Sequence, residues 1–343
     1  MTSPHYTSLT AGRVEHASPL GSVTQVDADE LPILEKLSIK RLLLAPGAIR
    51  VPHWHANATE LAYCVRGRAL VWVLGNGSNF AGFEIGPGQM FCIESGALHA
   101  IENIGDAEAE FILAFRHERP ADFTLGATFG AMTDAVLGNT FGLPADVFAK
   151  IPRSTSEVWL IARDGPPAIP STARQSDPRK FDLEAQAAPV HFDYGSAKLA
   201  RDQFWPALKD ISMYSLRVGP NGMREPHWHP ETAEMGYVLA GRARMTVLDP
   251  DGSTDTWDLK PGDVYFIPRA YPHHIQVLGP DEIHFLIFFD QPSPGDIGFR
   301  ASATAMSAPV MAAMLGVAPA DLPDLGATYA DPLIVKRINP QSV

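Results

Sequence analysis

Residues 50–74 read RVPHWHANATELAYCVRGRALVWVL, and residues 224–248 read REPHWHPETAEMGYVLAGRARMTVL. The second run restates the first at an offset of 174 residues, the step from Arg50 to Arg224. The same offset carries His53 onto His227, His55 onto His229, Glu60 onto Glu234 and Gly67 onto Gly241. Further along it carries Gly88 onto Gly262, His99 onto His273, Phe115 onto Phe289 and Met132 onto Met306, without a gap. So long a register makes the chain two copies of one domain and restricts it to architectures that can be built twice. The 343 residues suffice: each copy, at about 150–170 residues, can bury its own core. The expected division is domain one over 1–165 and domain two over 166–343. Residues 163–187, RDGPPAIPSTARQSDPRKFDLEAQA, are Pro-rich, charged and aperiodic, and read as the linker.

Within each copy the apolar runs are short. LAYCVRG, ALVWVLG, QMFCIES and EFILAFR in the first, with MGYVLAG, RMTVLDP, DVYFIPR and IHFLIFF in the second, are β-branched or aromatic and bounded by turn residues. They read as strands of a closed antiparallel barrel or sandwich, so the fold class is all-β with a few helices. GNGSN (75–79), GPG (86–88), DPDG (249–252) and KPGD (260–263) mark the turns. Helical stretches follow each barrel, about 128–138 and 303–315. They are rich in Ala and Met and poor in charge, which suits packing on the other domain or another subunit.

A net charge of −12 repels phosphate backbones and argues against nucleic acid as a partner. Cys64 and Cys92 lie in apolar surroundings and read as reduced core residues. The first residues, MTSPHYTSLTAGRVEH, contain no apolar secretory core. No window approaches the ~18 apolar residues of a membrane span. A soluble cytoplasmic protein is the expectation.

The chemistry sits in the histidines. His53 and His55 are two apart on an expected strand, so their imidazoles share a face. Glu60 follows across a short bend, and His99 arrives from another strand. Three neutral imidazoles and one carboxylate suit a divalent ion of borderline hardness and leave two octahedral positions open. Those positions can hold substrate and dioxygen, or a bidentate anion. His227, His229, Glu234 and His273 repeat the set. Mn, Fe, Co, Ni and Zn all accept such donors. A lone buried His is more often a satisfied core residue; eight residues of the right type at one fixed offset point to ligands. Trp54 and Trp228, between the paired histidines, face the opposite way as packing residues.

Residues 47–67 fit the pattern G-x5-H-x-H-x4-E-x6-G at every position. Residues 88–103 fit G-x5-P-x-G-x2-H-x3-N, with Glu94 in place of the proline. The second copy keeps that proline as Pro268 but has Ala270 and Val277 at the later Gly and Asn positions. These are the two cupin motifs, and the chain resembles a bicupin: two tandem double-stranded β-helix barrels. Over about residues 30–340 it resembles bacterial and fungal oxalate decarboxylases. The arginine three residues before the first ligand, in R-x-x-H-W-H, carries the resemblance as Arg50 and Arg224. The resemblance implies one manganese ion per domain, oxalate or a similar small carboxylate as substrate, and a homo-oligomer, trimer or hexamer. It gives Arg50 and Arg224 the task of holding that carboxylate. Arg suits this because its guanidinium binds carboxylate in a two-pronged fork. A salt bridge at the barrel mouth is the structural alternative.

The resemblance also implies a glutamate on a mobile lid after the last strand of the first barrel, acting as proton donor. Here that stretch is RHERPADFTL, 116–125, and lacks the family's Ser-Glu-Asn-Ser run. Glu118 and Asp122 are the candidate acids, and 116–124 the expected lid. In the second copy QPSPGD (291–296) offers only Asp296, and Ile287 stands where that family carries a second glutamate. The leading reading is therefore a decarboxylase converting oxalate to formate and CO2. An oxalate oxidase, another cupin dioxygenase or an isomerase is the alternative, and a non-catalytic storage bicupin a further one.

Overall fold

The computed structural model describes residues 4–326, 328 and 330–339. The expected strands form, and they pair antiparallel throughout. Two compact units result. One comprises residues 12–28 and 36–184; the other comprises 1–11, 29–35 and 185–343.

In the first unit a seven-stranded sheet runs in the spatial order 180–182, 89–93, 60–66, 109–115, 38–44, 21–26, 13–18. A second sheet runs 122–124, 48–55, 98–103, 69–75, 79–85, with 160–162 also pairing to 48–55. The central strands of the first sheet are buried on both faces, with every residue of Ala109–Phe115 buried. Leu42, Phe111 and Leu113 of one sheet and Val71, Phe83 and Ile101 of the other fill a shared core. The second unit repeats the plan. Its sheets run 6–8, 263–267, 234–240, 283–289, 212–218, 195–200, 190–192 and 254–259, 242–248, 273–278, 222–228, 297–298, with 334–336 on the strand 222–228. The repeat legible up to Met132 thus persists in space to the last described strand, because Leu160–Ala162 and Ile334–Lys336 occupy matching places.

The units do not follow a cut at residue 165. Each copy opens with a short strand that pairs within the other copy's barrel. Tyr6–Ser8 pairs with Asp263–Tyr265, and Lys180–Asp182 with Gln89–Phe91. The expected linker 163–187 is accordingly fastened to the first barrel for most of its length. Arg163 Nη1 donates to Glu102 Oε1 at 2.7 Å, and Ala173 is fully buried against Leu70 and Ile104. Composition misreads this segment because an edge strand of three residues has no room to show alternation.

The helical stretches are two pairs, Leu125–Ala131 with Asp134–Phe141 and Phe299–Ala305 with Ala308–Leu315. Phe141 (56% exposed) and Met314 (66%) show apolar surface to the outside of their units. Cys64 and Cys92 are buried thiols. No helix among the described residues is long and apolar enough to cross a membrane.

Deleting residues 1–11 should destabilise the second unit. The deletion removes a ladder strand, the buried His5 and the fully buried Leu9. A loss of at least about 3 kcal/mol is expected from the apolar burial alone. Chemical denaturation followed by second-barrel tryptophans checks it, and an unchanged midpoint would make the strand dispensable.

Candidate metal centres

Each barrel brings four side chains to one point. His53, His55, Glu60 and His99 are all buried, with one donor atom from each inside a 4.8 Å span. His227, His229, Glu234 and His273 do the same. The two centres are nearly superposable: His55 Nε2 lies 2.8 Å and His99 Nε2 3.4 Å from Glu60 Oε2, and His229 and His273 give 2.8 Å and 3.4 Å to Glu234 Oε2.

Backbone pairing sets this geometry. His99 stands opposite His53, and His273 opposite His227, on neighbouring strands. Glu60 begins its strand between Ile93 and Phe115. The strand Ala48–His55 buries His53 and His55 and half-exposes Trp54, which stacks on Phe123 at 5.6 Å. Trp228 meets Phe299 instead edge to face, at 6.2 Å.

The outer nitrogens fix the inner ones. His53 Nδ1 faces the Val51 carbonyl at 2.8 Å, His99 Nδ1 the Ala97 carbonyl at 3.0 Å, and His55 Nδ1 the Asp122 carboxylate at 2.6 Å. In the second barrel the acceptors are the Glu225 carbonyl (2.8 Å), the Tyr271 carbonyl (2.9 Å) and, for His229, the Gly295 carbonyl (3.0 Å) with Asp296 at 2.7 Å. An acceptor demands a proton on Nδ1, so each neutral ring turns the bare lone pair of Nε2 inward. Burial, then the Arg50 charge, hold His53 well below its usual pKa; burial and Arg224 do so for His227. For His229 burial lowers the ring as well, but Asp296 and Glu234 outweigh it and raise the ring to about 10. A more basic imidazole is a stronger donor to a cation. The buried Glu60 Oε1 and His227 Nε2 have no hydrogen-bond partner. Orphaned buried acceptors, inward lone pairs and one carboxylate per set are what a divalent cation satisfies, so the residues fit a metal.

Arg50 and Arg224 join the centres through a backbone irregularity. Arg50 is three residues before His53, so an unbroken strand would turn the two to opposite faces. The pairing slips between them: His53 faces His99 while Arg50 faces Ile101, and Arg224 and His227 show the same slip. This bulge, at Pro52 and Pro226, brings the arginine to the ligands' side. Arg50 Nη2 then lies 3.3 Å from Asp122 Oδ2, its Nη1 3.4 Å from the Trp159 carbonyl, and its guanidinium 4.5 Å from the Trp159 ring centre. Arg224 meets Asp296 at 3.1 Å and the Leu333 carbonyl at 2.9 Å.

The candidate acids occupy different places. Asp122 takes His55, Lys40 Nζ at 3.0 Å and Arg50. Burial alone would push its carboxyl up, but Lys40, then His55 and Arg50, hold it well below the usual carboxylate range. It is a charged acceptor, and Asp296 is its repeat-mate. Glu118 accepts the backbone N–H of Lys36 and is not part of the wall of the cavity over the metal ligands. The expected lid is stitched down, with hydrogen bonds at Arg116, His117, Glu118, Arg119 and Ala121 and strand pairing from Asp122. Ile287 is a buried wall beside Tyr214.

Two members of the site are missing from a reading of motifs alone. Lys40 is buried on the same strand face as Leu42 and Leu44 and lines the first cavity. Tyr265 donates its hydroxyl to Glu234 Oε1 at 2.5 Å, whereas the matching residue of the first copy is Phe91. Gly236 makes room for that ring: a Cβ there would meet it at 2.1 Å. A period-two reading of SIKRLLL flags Lys40; nothing local flags Tyr265.

Residues 8–147 and 186–321 match the family model described as Cupin. The oxalate decarboxylase of Bacillus subtilis (strain 168) is 29% identical over 290 residues, covering 82% of this chain and 74% of that protein. A probable oxalate decarboxylase of Arthroderma benhamiae is 26% identical over 318 residues, covering 87% and 75%. A solved structure of the Bacillus subtilis enzyme, studied for its Mn(II) centres, superposes with a TM-score of 0.86 at 26% identity over 98% of this chain and 90% of that one.

Replacing His99 by Ala should strip the ion from the first centre and leave the second filled, since no ligand is shared. Metal analysis should then show about half the wild-type content, and loss from both centres would contradict independent sites. Affinity for a divalent ion should fall as pH falls from about 8 to about 5, because protons compete for the inward nitrogens. A chelator titration at several pH values checks it, and a flat profile would argue against imidazole ligation.

Proposed function

The chain belongs to the cupin family, and we propose that it is a manganese-dependent bicupin of the oxalate decarboxylase type, converting oxalate to formate and carbon dioxide. One observation carries the reading: Arg50, turned by the bulge, shares a narrow cavity with His53, His55 and Glu60, which His99 completes as a set of three histidines and one glutamate. The Bacillus relative's activity and its Mn(II) centres supply the substrate and the metal of this proposal.

His53, His55, Glu60 and His99 would hold the ion, which would supply a Lewis-acidic, redox-capable anchor for a carboxylate. Arg50 offers a fork to the same anion and is itself braced by Asp122 and Trp159. Leu42, Leu113 and Phe115 wall the cavity and exclude bulk water, which strengthens each charge inside. Asp122, kept ionised, orients His55, Lys40 and Arg50 together. The second centre has the same ligands and Arg224, with Tyr265 taking one oxygen of Glu234 and Ile287 offering no proton. It reads as chiefly structural.

A second reading, oxidation of oxalate by dioxygen, draws on one feature. The cavity's two carboxylates are Glu60, a ligand, and Asp122, already ion-paired, so neither is a ready acid. Retention of both ligand sets argues against storage. The exposed apolar helices favour a homo-oligomer, trimer or hexamer, and the buried thiols fit a cytoplasmic setting.

Manganese-loaded protein incubated with oxalate should release formate and CO2 one for one. Hydrogen peroxide without formate would transfer the assignment to an oxidase, and neither product would remove oxalate. Arg50→Lys should lower turnover about tenfold or more at unchanged manganese content, since Lys forms no fork; unaltered kinetics would take Arg50 out of the mechanism.

A further inference from the structure

The two barrels share every ligand, the preceding arginine and its carboxylate partner, yet among the residues lining the first cavity and their repeat-mates one position differs in charge. The first has Lys40 and the second, at the same place in the repeat, Tyr214. The surroundings match closely. Lys40 Nζ sits 4.9 Å from the centre of the Phe115 ring, and the Tyr214 ring lies edge to face on Phe289 at 4.8 Å. Both are buried, Lys40 to 4% exposure.

A buried ammonium is costly to keep and needs partners. Among the described residues Lys40 has one hydrogen-bond acceptor, Asp122 Oδ2 at 3.0 Å, and two aromatic faces, Phe115 and Trp159 at 5.5 Å. An ammonium carries three N–H donors, so two are left without an acceptor on the wall of a cavity shared with His53, His55 and Arg50. Asp122 must also serve Arg50 and His55, so it cannot neutralise both cations.

The charge of each cavity follows. With a divalent ion in place, Glu60 and Asp122 each cancel one positive charge while Arg50 and Lys40 each add one. The first cavity is left with two. In the second, Glu234 and Asp296 cancel two and Arg224 adds one, since Tyr214 is neutral; burial, then the Asp296 charge, raise its hydroxyl further above its usual pKa. That centre is left with one.

We propose that Lys40 is a specificity-determining residue of the first centre, binding the second carboxylate of a small dianion, a contact the second centre lacks because Tyr214 stands there. The inference rests on the functional reading above for the metal and the anion class. A dianion placed between ion, Arg50 and Lys40 gives each of its carboxylates a cationic partner and satisfies the ammonium. A monoanion on the ion and Arg50 leaves Lys40 as it was.

The test is calorimetric binding of oxalate, malonate and acetate to manganese-loaded wild type, Lys40→Met and Lys40→Gln, with metal content and melting temperature recorded. Both substitutions should weaken oxalate roughly tenfold or more, and acetate by no more than about twofold, at unchanged metal content. Lys40→Gln removes the charge and keeps an N–H donor, so it carries the test if the Met variant folds poorly. Equal weakening of dianion and monoanion, or no change for the dianion, would overturn the inference. A wild type that holds acetate as tightly as either dianion would overturn it too. If wild type binds malonate but not oxalate, with the same dependence on Lys40, the oxalate reading falls and the role of Lys40 stands.

Discussion

The acceptor facing each histidine's outer nitrogen is the constraint on which both centres depend. Four of the six are the ring's own carbonyl two residues back, at Val51, Ala97, Glu225 and Tyr271. Val51 and Glu225 lie within strands, and Ala97 and Tyr271 lie just before the strands that carry His99 and His273, so the tautomer is set by local backbone. The other two involve Asp122 and Asp296, which also hold the arginines. Removing those carboxylates would free the ring and the guanidinium together. Ligand geometry and anion recognition are therefore one hydrogen-bonded unit in each barrel.

The bulge belongs to the same unit. It costs a ladder interaction in mid-sheet and places a proline there, which an unbroken strand would not tolerate. In return an arginine and two histidines of one strand share an interior. Once that frame exists, the centres diverge by single side chains. Phe91 against Tyr265 decides whether the second carboxylate oxygen is left open, and Lys40 against Tyr214 decides the charge of the cavity. Duplication followed by such exchanges gives one chain two chemically distinct sites on one scaffold.

The opening strands add a further constraint. Because Tyr6–Ser8 and Lys180–Asp182 each complete the barrel of the other copy, neither copy is closed by its own residues alone. Covering an edge strand in this way removes a site of unwanted pairing. It also ties the folding of each half to sequence far away in the chain.

The sequence by itself determined the duplication, the all-β class and the eight histidines and glutamates that gather into two clusters. Each rests on local chemistry: a fixed offset, period-two alternation, and imidazoles at i and i+2 on one strand. It also pointed to Arg50 and Arg224 by resemblance, but the reason they reach the ligands is a slip in pairing with a strand some fifty residues away, which no spacing reveals. Asp122 was legible as a carboxyl near the site, and its state was not, since Lys40 from one strand and Arg50 and His55 from another hold it ionised. The pinned segment 116–124, the exchanged opening strands and the asymmetry of Lys40 and Tyr214 were decided only in three dimensions. All depend on which distant groups a closed barrel brings within hydrogen-bond reach, and at that range charge and burial outweigh local propensity.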